Sequence, residues 1–395
     1  QTLNRGKRSL TLDLRAPESL EVLKNLLRVS DIFLENFTPR VLARFGLDYA
    51  SVKQVRPDLI MVSNTGYGHS GPYSNVGAMA TALEPTHGTG AFTGYLEPDA
   101  REANIQDPEA RGSLVPGTVP NKIANSYTDF LASWSAQLAI LACLLYRART
   151  GRGAWIDLAM YQVGASFMGD GLLDYAFNGR RVRRIGNRHE SFSPHGCYPC
   201  RGDDEWVVLA VRNDSDWQAF CLALDRPELA RDPRFADPVT RHQNQDALDE
   251  MIRSWTSDLD QYQVMEELQS RGIPSGPVLN ARGLLADPHL RARGFFESVK
   301  HSPETELGRR EYLSRGWTLS DSDVQVRGEA PRLGEGNEYV LEDVLGLNSA
   351  EIEELRTKGV IGETLLGAGA PSTVPLARQE ELGWIVRHEP GYPRA

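Results

Sequence analysis

The sequence predicts an α/β protein built on a doubly wound layer, and three observations carry that prediction. Strand-like and helix-like segments alternate through the first half of the chain, the rhythm of a sheet with helices on its faces. Leu59 to Asn64 (LIMVSN) is a continuous apolar run, as expected of a strand covered on both faces in a parallel sheet. Phe130 to Arg147 is a strongly apolar helix that leads into a second strand-like stretch, Trp155 to Met160.

Taken in order, Ser9 to Leu14 (SLTLDL) alternates like a strand. Pro17 to Val29 is helical, with Leu20, Leu23, Leu26 and Leu27 at helical spacing. Asp31 to Glu35 reads as a short buried strand. Pro39 to Phe45 reads as a helix stopped by Gly46, and Ala50 to Val55 as another short helix. Residues 85–125 are rich in Gly, Pro, Asp and Thr and are expected to be a long functional loop. After the apolar helix and the turn Arg149-Thr-Gly-Arg-Gly153, residues 200–300 form a more self-contained α/β unit. It holds a strand at Glu205 to Val211, helices near 214–224, 244–257 and 260–271, and a closing turn at Gly272 to Pro277. Ser349 to Lys358 is a charged helix, and the Gly/Pro-rich tail past Gly362 is expected to be loosely held.

Composition narrows the function classes. A chain of 395 residues with 41% hydrophobic content can bury one or two cores. Its net charge of −10 argues against a general nucleic-acid binder. No uncharged apolar run approaches the ~18 residues that span a bilayer, so no membrane helix is expected. Four cysteines give no disulfide framework. Cys197 and Cys200 form a C-x-x-C that redox or zinc chemistry would use, but there is no second such pair, and two thiols on a short buried strand explain it more simply.

Gly66-Tyr-Gly-His-Ser-Gly71 matches G-x-G-x-x-G after a strand. Pro72 and Tyr73 follow where a dinucleotide site needs a helix to begin, so a glycine loop that admits a substrate close to the backbone fits better. Asn4-Arg-Gly-Lys-Arg8 is a basic cluster able to grip phosphates, although an isolated cluster of this kind is usually a solvated turn. Asp129 stands just ahead of the apolar helix. A carboxylate there commonly serves as a cap or first-turn acid. The same position keeps it ionised and poorly solvated, which suits a carboxylate nucleophile. Local pattern alone favours the cap.

The chain resembles the class III coenzyme A transferases, the family that includes formyl-CoA, carnitine and benzylsuccinate CoA-transferases. The resemblance rests on stretches that occur in family order. They include LNRGKRSLTLDL (3–14), DIFLENFTPRVLARFGLDY (31–49), GYGHSGPY (66–73), the Asp129 helix with YRARTGRG (146–153), and RRIGNRHESFSPHGCYPC (183–200). Further on come DPRFADPVTRHQNQDAL (232–248), GIPSGPV (272–278), ADPHLRARGFF (286–296), LGEGNEYVLEDVLGL (333–347) and EIEELRTKGVI (351–361).

The resemblance implies an interlocked homodimer. Each chain has a large Rossmann-like domain with a parallel sheet (1–198), a small α/β domain (199–300), a return segment on the large domain (301–361) and a loose tail (362–395). It implies Asp129 as the nucleophile, and Asn36, Phe37, Val41 and Arg44 as CoA contacts, with Arg5 and Lys7 near the CoA nucleotide. The implied reaction moves CoA from an acyl-CoA to a carboxylic acid through an aspartyl anhydride and an aspartyl-CoA thioester. It needs neither a metal nor a permanently bound cofactor, and the expected setting is the cytoplasm. Backbone N–H groups of Gly66–Gly71 and Ser193–Cys197 are candidate oxyanion donors. The resemblance also implies a strand, a helix and an A-G-P-like turn ahead of Gln1, so the chain is expected to be a fragment or to have a clipped or miscalled start, its sheet edge uncovered.

Two rivals share this frame. An α-methylacyl-CoA racemase needs two acid/base groups at the α-carbon. In racemases a G-H-D segment supplies a histidine where this chain has Gly77-Ala78-Met79, and His87 is expected to have only a loop role. A non-catalytic relative would bind CoA and be indifferent to loss of Asp129. Arg101, Arg111 and Lys122 would favour a dicarboxylate acceptor, if they are more than a solvated charged loop.

Overall fold

A computed structural model of the chain describes residues 2–94, 127–305, 307–322, 324–326, 328–364 and 374–385. In chain order the elements begin with α1 (Pro17–Val29), β1 (Ile32–Glu35), a 3-10 turn at Leu42–Phe45, α2 (Tyr49–Val55) and β2 (Ile60–Thr65). They continue with α3 (Ala80–Thr86), α4 (Thr89–Phe92), α5 (Tyr127–Thr150), β3 (Ala154–Ala159), α6 (Met160–Ser166) and α7 (Gly169–Asn178). Next come β4 (His195–Pro199), β5 (Trp206–Ala210), α8 (Asp214–Ala223), α9 (Pro238–Gln243), α10 (Gln245–Thr256), α11 (Gln261–Ser270) and β6 (Ser275–Pro277). The last are α12 (Ala281–Ala286), α13 (Pro288–Ala292), β7 (Phe296–Lys300), β8 (Arg309–Leu313), α14 (Ser349–Thr357) and α15 (Leu376–Glu381).

Contacts divide the chain differently from the sequence boundaries at 198, 300 and 361. One unit gathers residues 1–33, 42–59 and 281–395, the other residues 34–41 and 60–280. In the first unit, Val22 of α1 packs with Leu341, Ile352, Leu355, Val360 and Ile361. The predicted strand Ser9–Leu14 is extended there but joins no sheet. Its polar groups go to no strand: Thr11 N–H bonds Asn337 Oδ1 at a helix start (2.9 Å), Asp13 N–H the Val360 carbonyl (2.9 Å), and the Ser9 carbonyl accepts from Gly336 N–H (2.9 Å). The expected helix from Pro39 shrinks to the short turn at Leu42–Phe45, because Arg40 adopts a positive φ of 75° and breaks the run.

The second unit holds two sheets. β2 lies between the end of β1 and β3 and pairs in parallel with β3, Ile60 opposite Ala154 through Thr65 opposite Ala159. Ile60, Met61, Val62 and Ser63 of β2 are all buried, which is why the run is apolar without alternation. β4, β5 and β6 form an antiparallel sheet. With α8, α10 and α11 it encloses a core that includes Val207, Leu209, Trp217, Phe220, Leu248, Ile252, Val264 and Leu268.

The apolar helix is longer than expected, 24 residues as α5, and packs against β2, β3, α3 and α6. On length and composition it could cross a membrane, which corrects the expectation from uncharged runs: Asp129 and two arginines punctuate the sequence without lowering its mean hydropathy enough. Its inward face is narrow: Thr128, Leu131, Ala132 and Ala136. Its outward face exposes Tyr127, Phe130, Trp134, Leu138, Leu141 and Leu145 at three- and four-residue steps.

Candidate active site

Asp129 is the third residue of α5 and so lies inside the first turn instead of ahead of the helix. The capping role falls to a residue the sequence reading passed over. Glu84 of α3 is 2% exposed, and its Oε1 accepts a hydrogen bond from Tyr127 N–H at 2.6 Å. Its Oε2 is buried and has no partner among the described residues. One helical turn further on, His87 closes α3. It is buried, and its Nε2 is 2.9 Å from Thr128 Oγ1. His87 therefore sits against the start of α5, not in an open loop, and its ring fits because residue 164 is glycine: a Cβ there would lie 2.3 Å from His87 Cδ2.

This packing sets the electrostatics. The Asp129 side chain reaches solvent, and among the described residues its carboxylate accepts no hydrogen bond. Partial burial beside the apolar helix raises its pKa above the ordinary carboxylate value, and the Glu84 charge raises it further. Burial lowers the pKa of His87, against an opposing pull from Glu84. The result is an unengaged carboxylate of increased basicity at a helix N-terminus, an arrangement suited to nucleophilic attack.

Of the expected CoA contacts, Asn36, Phe37 and Val41 belong to the same unit as Asp129, and Arg44, Arg5 and Lys7 to the other. Asn36 and Phe37 are exposed, and the Phe37 N–H donates to Glu35 Oε2 (2.8 Å), which fixes the turn after β1. Val41 is half-buried, and Arg44 is exposed on the Leu42–Phe45 turn. Arg5 is already engaged. Its Nε and Nη2 donate to the Thr2 and Leu313 carbonyls, and its guanidinium lies 4.8 Å from the Tyr312 ring centre. The Tyr312 hydroxyl is hydrogen-bonded to the buried His301 (2.8 Å), which is in turn bonded to Glu329 (2.9 Å). Arg5 Nη1 alone is buried without a partner. Lys7 Nζ donates to Asn4 Oδ1 (2.9 Å).

The glycine loop gives two corrections to the oxyanion reading. Gly68 N–H donates to Thr65 Oγ1 (3.0 Å), and His69 N–H to Asp157 (3.1 Å), so neither is free to receive an oxyanion. Residues 195–197 of the second candidate segment lie in the β4 ladder opposite β5. Cys197 and Cys200 are free thiols, and burial raises both, Cys200 to about 11, a value far from the reactive thiolate range. Arg101, Arg111 and Lys122 lie outside the described residues.

A carboxylate in the first turn of an apolar helix is a group that can serve as a nucleophile. The particular assignment comes from comparison with known proteins: residues 1–337 match the model of CoA-transferase family III, and the chain belongs to that family. It is 32% identical over 362 residues to succinyl-CoA–D-citramalate CoA-transferase from Chloroflexus aurantiacus, covering 91% of this chain and 83% of that protein. It is 31% identical to formyl-CoA:oxalate CoA-transferase from Streptomyces coelicolor, covering 91% and 85%. The crystal structure of a CAIB/BAIF family protein from Brucella suis superposes with a TM-score of 0.74 at 30% identity, covering 86% of this chain and 82% of that one.

Proposed function

We propose that this chain moves CoA from an acyl-CoA donor to a carboxylic acid acceptor, with Asp129 as the nucleophile. The observation that carries this reading is the unengaged, basicity-enhanced Asp129 carboxylate in the first turn of α5. In the first step a carboxylate oxygen attacks the donor thioester and CoA thiolate leaves, giving a mixed anhydride. The thiolate then attacks the Asp129 carbonyl and expels the donor acid, leaving an aspartyl-CoA thioester. The acceptor carboxylate attacks that carbonyl and again releases the thiolate, which takes the acceptor acyl group and restores Asp129. Each step exchanges one acyl linkage for another of similar energy, so the cycle needs no external energy source.

Asn36, Phe37, Val41 and Arg44 are proposed CoA contacts, with Lys7 and the unpaired Nη1 of Arg5 toward the nucleotide. The two relatives named above for succinyl-CoA and oxalate substrates support a dicarboxylic acid on one side of the exchange. The exposed apolar face of α5, together with Leu172, Leu173, Tyr175 and Phe177 of α7, supports a homodimer. Four free cysteines fit a reducing, cytoplasmic setting.

The test is intact-protein mass spectrometry after incubation with a panel of acyl-CoAs, followed by hydroxylamine. We expect an adduct at Asp129 that hydroxylamine converts to a hydroxamate and that Asp129→Ala abolishes. CoA binding without an adduct would replace this reading by a racemase or a non-catalytic relative, which solvent-deuterium exchange at the α-carbon would separate.

A further inference from the structure

A carboxylate in the first turn of a helix ordinarily turns back to accept from the N–H groups left unpaired there. In this chain the Asp129 carboxylate accepts no hydrogen bond among the described residues, and the Tyr127 N–H goes to Glu84 instead. Glu84 reaches across from α3 and accepts that N–H at 2.6 Å, while its second oxygen is buried and has no partner among the described residues. The carboxylate is held there from several sides. Its own backbone carbonyl accepts from Thr89 Oγ1 (2.6 Å), and α3 packs against α4, α5 and α6. A buried carboxylate with one oxygen unsatisfied is costly to keep, and such a cost persists where it has a use.

We propose that Glu84 is a positioning residue for Asp129: it holds the Tyr127 N–H at the start of α5 in the nucleophile's stead and leaves the Asp129 carboxylate facing outward. This rests on the reading of Asp129 as the nucleophile. The pairing also has an electrostatic side. Two carboxylates at one helix end repel each other, and the Glu84 charge raises the pKa of the more exposed Asp129. The other ionisable groups on the elements packed against α3 and α5 are few among the described residues. His87 faces Thr128, Asp157 on β3 accepts from His69 N–H, Tyr161 lies on α6, and α5 itself carries Tyr127, Cys143 and Tyr146, with Arg147 and Arg149 at its far end. Glu84 is the only carboxylate among these that bonds the end of α5 carrying Asp129.

The test compares wild type, Glu84→Gln and Glu84→Ala in two assays. The first needs no substrate. Carbodiimide labels a protonated carboxyl, so labelling of Asp129, read by peptide mass spectrometry, fades as pH rises through its pKa. In Glu84→Gln the amide oxygen still accepts the Tyr127 N–H but the charge is gone, so the fade should move to lower pH while the melting temperature stays close to wild type. Glu84→Ala loses the cap as well and should also melt earlier. In the second assay, CoA transfer, Glu84→Gln should lower kcat several-fold with KM for acyl-CoA little changed, the pattern of an interaction used in the transition state. A labelling curve that does not move in Glu84→Gln overturns the proposal. If wild type forms no Asp129 adduct, the nucleophile reading fails and takes the catalytic use of the pair with it, and the labelling shift tells that failure apart from a failure of Glu84 itself.

Discussion

A methyl group at position 164 would lie 2.3 Å from Cδ2 of His87, whose ring is buried and hydrogen-bonded to Thr128. Alanine in the middle of α6 would gain about 1 kcal/mol of helix propensity. The overlap should cost up to about 3 kcal/mol, because a buried imidazole cannot swing aside as a flexible side chain would. Gly164→Ala is therefore expected to destabilise the fold, and thermal unfolding measures the net loss. Asp129 makes a second prediction at this scale. Its folded pKa is raised, so folding disfavours the ionised form. Stability from the neutral carboxyl is present below the unfolded pKa near 3.8 and is lost as pH rises through the folded value. Asp129→Asn should accordingly melt higher than wild type at pH 7 and show no gain below about pH 3, in paired thermal melts. An equal gain at both pH values would mean that the substitution acts through packing. Asp129 was legible as a candidate from its place at the start of an apolar helix, although local pattern alone favoured a cap. Glu84 and His87 were not, because their short helix contains Pro85 and shows no apolar period. The E-x-x-H spacing, which puts two polar groups on one helical face, was the available clue.

Elements with a strong period were read to within a few residues. α1 spans the expected Pro17–Val29, and α8, α10 and α11 each fall within the spans anticipated near 214–224, 244–257 and 260–271. Their signals are physical: α10 places Leu248 and Ile252 on one buried face, and Asp260 caps α11 through Tyr262 N–H. β2 and β3 were legible for a similar reason, as short apolar runs bounded by turns. What failed was a segment that belongs to no element of its own, its backbone held by residues distant in sequence. Ser9–Leu14 alternates like a strand, but its hydrogen bonds go to Asn337 and Val360, more than three hundred residues away, and neither partner lies in a strand. Alternation reports which side chains are covered and says nothing about whether the neighbour is a strand. The residues 85–94 that composition marked as loop contain α4, a single turn closed by the Thr93 N–H to Thr89 carbonyl bond, too short to leave a period.

For the molecule as a whole, the outward face of α5 is the largest commitment. Trp134, Leu138, Leu141 and Leu145 are each at least 60% exposed on a helix that is otherwise apolar. An isolated exposed leucine needs no explanation, but a continuous stripe does. If two copies pair through this stripe, Trp134→Glu should convert a dimer to a monomer in sedimentation velocity while leaving the far-UV spectrum unchanged, and CoA transfer should fall with the loss of the dimer. A monomeric wild type would reject the pairing. The other molecule-wide feature is the clasp at the start of the chain. Thr11 is bonded to Asn337 and to the Gly362 carbonyl, and Ser9 to Gly334 and Gly336. On the ribosome these partners are made in sequence, N-terminus first. The unit of residues 34–41 and 60–280 is synthesised without interruption by the clasp, and its core is complete once Ile273 has emerged. The segment carrying Arg5 and Lys7 must wait, unclasped, until about residue 362 has left the exit tunnel. The nascent chain thus acquires the surroundings of Asp129 well before it fastens its basic N-terminal segment, and a polypeptide released early would carry the Glu84–Tyr127 contact at the start of α5 with no anchored cation cluster.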